Sequence, residues 1–196
     1  MTRHEPPTLT RERATAPLPV ADRRIIQSYE FLTQIAEPSG IHSAYPTAHL
    51  NALIYREFLG RPDAQRVQDA LTGSERYKER WKYTWVGAGK ARIKVWQDYP
   101  EAISDAVQEV TGARVVFEPV DLTGLGDPEA FIREKLEVGH AIVAGSGRHA
   151  VTAVGLEPRK DAIVVIDPLF PAFPSSINLW RFADVFKKAD ATIKLV

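Results

Sequence analysis

Apolar positions along the chain recur with two different periods, and the change comes at Gly139. Before it the period is mostly helical. Ile25, Tyr29, Leu32 and Ile35/Ala36 predict a helix over 22–36 that stops before Pro38. The segment "EPSGIHSAYP" follows as a loop. Leu50, Leu53, Ile54 and Phe58 then share one face of a second helix, with Pro46 in its first turn and Gly60 at its end. Val67, Ala70 and Leu71 predict a short third helix that closes at Gly73. The stretch 74–99 mixes charge with Trp81, Trp85 and Trp96 and predicts a helix followed by an irregular segment. "PEAISDAVQEVTG" is a further helix, from Pro100 to Gly112. "ARVVFEPV" reads as a strand. "DPEAFIREKLEVG" is a helix with Asp127 as N-cap, Pro128 in the first turn and Gly139 as its stop.

Beyond Gly139 the runs "HAIVAG", "HAVTAVGL" and "DAIVVID" are short, apolar and rich in β-branched residues, with turns between them. They predict successive antiparallel strands. "SSINLWRFADVFKKA" returns to helical spacing, and "ATIKLV" closes the chain as a strand. Helices first and sheet second argue an α+β domain over 22–196 with segregated layers. Residues 1–21 are rich in Pro, Thr and Arg and carry no apolar period. They are expected to form a disordered leader.

Composition and local sequence change this picture in four ways. The chain has 25 basic and 25 acidic residues, which removes the broad positive field expected of a nucleic-acid binder. No apolar run approaches the roughly 20 residues that cross a bilayer, so no membrane partner is expected. The N-terminus shows no secretory signal, so the expectation is a cytoplasmic protein or one delivered by a non-classical route. Finally, there is no cysteine, which excludes disulfides, thiolate metal sites and a thiol nucleophile in the chain as written.

Two polar residues sit at the edges of the predicted strands. His149 heads "HAVTAVGL" and Asp167 ends "DAIVVID", 18 residues later. Alone, they read as a strand-edge histidine and a cap before Pro168. With "VGHAIVAG", "RHAVTAVG" and "VIDP" taken in order, however, the segment resembles the C-terminal half of the papain-like cysteine peptidases. It is closest to the bacterial bacteriocin-leader (double-glycine) group. The resemblance spans about 36–188. It implies an N-terminal helical lobe packed against a C-terminal antiparallel sheet, with hydrolysis at an amide bond of a peptide or protein. By that resemblance His149 is general base and thiolate partner, and Asp167 orients its ring.

The family's nucleophile is a cysteine in a Cys-Gly-Pro motif just before a long buried helix. Pro46 matches the proline, which puts Ala44 at the nucleophile position and Tyr45 at the glycine. A helix N-terminus and a neighbouring imidazole would stabilise a thiolate there, but a methyl group cannot do the nucleophilic work. The expected explanation is a cysteine replaced by alanine to silence the enzyme. The alternative is a natural pseudopeptidase that binds peptides in the same cleft. A papain-like deamidase or acyltransferase would use the same triad. Ser43 is off by one register as a nucleophile. The family glutamine that assists the oxyanion falls on Pro38. Gln34, Ser39, His42 and the backbone N–H groups at the helix start are therefore the candidate donors.

No cofactor and no metal are expected. His42, His49, His140 and His149 lack a carboxylate at ligand spacing, and His49 is expected on a helix surface or in the groove. "GAGK" at 87–90 lacks the remaining residues of a phosphate loop and reads as a turn. The tryptophans are expected in packing rather than in base stacking. The oligomeric state is not legible.

Overall fold

The structure, a computed structural model, describes residues 26, 29–34, 44–73, 83–86, 93–96, 99–146, 149–157, 160–188 and 192–195. The expected leader, Ser39, His42, Ser43, Trp81 and the "GAGK" turn lie outside them.

Helix α1, Ala44–Tyr55, is buried on nearly every side, with only Tyr45 partly open. Most of its residues are apolar, and its buried polar ones, Thr47, His49 and Asn51, are hydrogen-bonded, as a helix enclosed by other elements requires. Two helices flank it. Helix α2, Arg61–Gly73, turns Ala64, Val67, Gln68 and Leu71 inward. Helix α3, Tyr99–Thr111, buries Ala102, Ile103, Ala106 and Val107. The three share one core with Phe117, Val143, Ala150, Val154, Val164 and Ile166 of the C-terminal half.

The sheet is antiparallel and six-stranded. Its strands are β3 (Glu118–Asp121), β4 (Ile142–Ser146), β5 (His149–Glu157), β6 (Ala162–Ile166), β7 (Ser175–Asn178) and β8 (Thr192–Leu195). The spatial order is β3-β8-β4-β5-β6-β7, with a register shift between Ala153 and Gly155. The molecule is thus α+β: three helices, α1–α3, precede the strands of the six-stranded sheet, which come from the C-terminal half. Helices also cover the second face. α4, Pro128–Glu137, and α5, Leu179–Lys188, enclose a separate core of Leu122, Ile132, Leu136, Ile142, Ile163, Val165, Leu179 and Phe182. Alternating residues of β4, β5 and β6 divide between the two cores, which explains why these strands read as continuous apolar runs.

α4 shows how local sequence fixes these positions. The Asp127 carboxylate accepts from the Ala130 N–H at 2.9 Å. At the other end Gly139 adopts φ 87°, its N–H bonds Leu136 O at 3.1 Å, and the His140 N–H reaches Lys135 O at 2.9 Å. That pairing is a Schellman stop, which needs the left-handed backbone that glycine accepts. The Gly139 carbonyl then accepts from the buried Arg56 guanidinium, tying the end of α1 to the entry of the sheet.

Five expectations are corrected. The second helix ends at Tyr55 rather than at Gly60, so Phe58 lies in the turn beyond it. The helix over 22–36 does not extend through 29–34, which run without helix to Gln34. Here the Asn51 side chain takes both backbone groups of Leu32, accepting its N–H at 2.7 Å and donating to its carbonyl at 3.0 Å. The strand expected over 113–120 begins only at Glu118. Ser175–Asn178, expected to open a helix, is strand β7 paired with β6, and the helix starts at Leu179. Within 74–99, Tyr83–Val86 (β1) and Ile93–Trp96 (β2) form an antiparallel hairpin where an irregular segment was expected.

Candidate active site

β5 begins at His149, opposite Ser146 of β4, and β6 ends at Ile166, opposite Thr152. Asp167 is the first residue after β6, so His149 and Asp167 lie at the same end of two adjacent strands. Their side chains meet, with His149 Nε2 3.0 Å from Asp167 Oδ2. The other carboxylate oxygen, Oδ1, accepts the Leu169 N–H at 2.8 Å, which fixes the carboxylate plane. Among the described residues His149 Nδ1 meets no hydrogen-bond partner, which leaves it open to a second one. The two side chains are 35% and 30% exposed, so the pair is screened yet open to a substrate.

Ala44 opens α1 and is buried. The ring of Tyr45, the next residue, lies directly on Gly145 of β4. A Cβ built on that glycine would stand 2.3 Å from Tyr45 Cε1. Gly145 pairs with Ala150, next to His149. One turn further along α1, the Ala48 carbonyl accepts the Thr152 hydroxyl at 2.7 Å. The first two turns of α1 therefore run along the leading half of β5. Ala150, Thr152 and Val154 face α1, whereas His149 and Asp167 share the parity of Val151 and Val165, which face the second core.

Gln34 is drawn to the same end. Its backbone N–H donates to Pro168 O at 2.9 Å, beside Asp167, and its side-chain Oε1 is buried with no hydrogen-bond partner among the described residues. Gln68 holds this segment from behind, donating from Nε2 to Thr33 O at 3.1 Å and to Thr47 Oγ1 at 2.9 Å.

His49 departs from expectation. It is fully buried rather than on a surface or groove: its Nδ1 lies 2.7 Å from Tyr45 O, and its ring meets Phe117 edge-on at 4.8 Å. Burial pushes the Tyr45 phenol up to about 12, so it stays neutral. Among the described residues no group of three or more His, Asp or Glu stands ready to hold a metal ion. No helix of the described residues is long and apolar enough to cross a membrane.

Sequence reading missed the loop after Asp167. Leu169, Phe170 and Phe173 are 45%, 64% and 75% exposed. Their run "DPLFPAFP" was available as a signal: large apolar residues between prolines, outside any strand or helix period.

No protein-family model matches the chain, and no curated protein matches it. Among solved structures, a Bacillus anthracis protein titled "putative C39-like peptidase" aligns with a TM-score of 0.48 at 12% identity. The alignment covers 87% of this chain and 95% of that one.

Proposed function

We propose that this is a papain-like domain whose cleft takes an amide bond of a peptide or protein, with position 44 as the nucleophile site, His149 as base and Asp167 as orienter. The 3.0 Å contact between His149 and Asp167 at the sheet's end carries this reading, because it spends Nε2 on the carboxylate and keeps Nδ1 for a nucleophile. The place of Ala44 at a helix start, with the Tyr45 ring on Gly145 beside the strand of His149, supports it from the other side.

With a thiol at 44, the imidazole takes its proton and the thiolate forms a bond to the amide carbon. The carbonyl electron pair moves onto oxygen, held by backbone N–H groups at the start of α1 or by the Gln34 amide. On collapse the C–N bond breaks and the imidazolium gives its proton to the leaving amine. Water, deprotonated by the imidazole, then cleaves the thioester and restores the thiol. With alanine at 44 the same cleft binds peptide and does not cut. The second reading, a peptide-binding pseudopeptidase, is favoured by that alanine itself.

The test is Ala44→Cys treated with a thiol-reactive peptide probe. Labelling at least about tenfold faster than a free thiol, and lost on His149→Ala, is expected for an activated nucleophile. Labelling at the rate of a free thiol leaves the binding module.

A further inference from the structure

The turn that follows Asp167 departs from ordinary surface chemistry. Residues 168–174, "PLFPAFP", carry no charge, and Leu169, Phe170 and Phe173 stand out into solvent. Three prolines restrict the backbone of this segment. Two successive turns close it, with the Phe170 N–H on Asp167 O at 2.9 Å and the Phe173 N–H on Phe170 O at 3.0 Å. Its first residue beyond Pro168 is anchored by the very carboxylate that meets His149, through the Leu169 N–H on Oδ1. Pro168 itself is buried and its carbonyl takes the Gln34 N–H. The apolar side chains are thus held on a stiff loop that continues directly from the candidate catalytic pair.

We infer that Leu169, Phe170 and Phe173 form the substrate side-chain subsite of this cleft and select peptides with a large apolar residue beside the amide bond presented to His149. The inference rests on the cleft being a peptide site, and it names the substrate class. An apolar, uncharged loop offers nothing to a charged side chain, whereas a Leu or Phe side chain laid on it removes apolar surface of both partners from water. Continuity through Asp167 means that a peptide chain seated at the imidazole passes the loop within a few residues.

The alanine at position 44 allows binding to be read apart from chemistry. Capped hexapeptides identical except for Ala, Leu or Phe at the third position are titrated into the unmodified chain by calorimetry. Their affinities are compared with those for Phe170→Ser/Phe173→Ser, whose exposed side chains are dispensable for folding. Tightening of about tenfold from Ala to Phe, abolished in the double variant, is expected from one extra apolar side chain. Equal affinity across the series in both proteins overturns the subsite. So does binding of the chain to vesicles of neutral lipid that is lost in the double variant, with no peptide binding, which would make the loop a membrane contact. Association of the chain with itself that vanishes in the double variant, again without peptide binding, overturns it as well. If Ala44→Cys shows no accelerated labelling while the peptide preference holds, the catalytic reading fails and the subsite stands.

Discussion

A Cβ on Gly145 would stand 2.3 Å from Cε1 and 2.6 Å from the hydroxyl oxygen of Tyr45, far inside contact distance. The two positions therefore constrain each other: a full ring at 45 admits only hydrogen at 145. Gly145 closes the apolar run "HAIVAG" and lies inside β4, and glycine in a strand commonly marks such a close approach. The partner could not be read, because Tyr45 stands 100 residues away on a different element. Gly145→Ala is expected to cost about 1–3 kcal/mol by displacing the ring. The same change in a Tyr45→Ala background should cost much less, giving a coupling of about 1 kcal/mol or more in urea unfolding of the four chains. Strictly additive losses would mean that ring and strand do not compete. Because Tyr45 follows position 44 and Gly145 pairs beside His149, the same pair of residues sets how closely the helix start approaches the imidazole's strand.

Among the elements, periodic ones were legible and bridged ones were not. α2 was foreseen to its closing Gly73, and α4 with its Asp127 cap and Gly139 stop, because their signals lie within one helix. β5 and β6 were likewise visible as apolar runs, with His149 and Asp167 at their ends. The segment 29–34 was misread, since Tyr29 and Leu32 keep a helical spacing that tertiary bonds override. Both backbone groups of Leu32 belong to Asn51, the Thr33 carbonyl to Gln68 and the Gln34 N–H to Pro168. A side-chain amide that replaces a strand neighbour leaves no trace in hydrophobic period. Asn51→Ala orphans a buried donor and acceptor together and should cost roughly 2–4 kcal/mol. Hydrogen exchange at the Leu32 amide should rise far more than at α2, because the strap is released locally. Unchanged exchange there would show that the strap does not depend on this bridge. The expected functional consequence is loss of order at Gln34, the candidate oxyanion donor whose backbone N–H bonds Pro168 O.

The sheet belongs to two cores at once, and this binds the halves of the molecule into one cooperative unit. Along β6, Val164 and Ile166 pack with the helices α1–α3, while Ile163 and Val165 pack with α4 and α5. Neither core can melt without exposing one face of the same strands. Leu53→Ala in the first core and Ile163→Ala in the second should each cost about 2–5 kcal/mol, since both side chains are fully buried. Both losses should appear as a shift of one and the same unfolding transition, with the amides of β5 and β6 losing protection in step in either variant. Two separate transitions, or loss of protection confined to one side, would divide the chain into independent units. The site makes the point sharper. Position 44 belongs to a helix packed on one face of the sheet, whereas His149 has the strand parity of Val151, which packs in the other core. Either core substitution should therefore lower the temperature at which an Ala44→Cys thiol loses its accelerated labelling, and by the same amount as it lowers the unfolding midpoint. A labelling rate that survives the melting of the second core would mean that Asp167 is not needed to hold the imidazole.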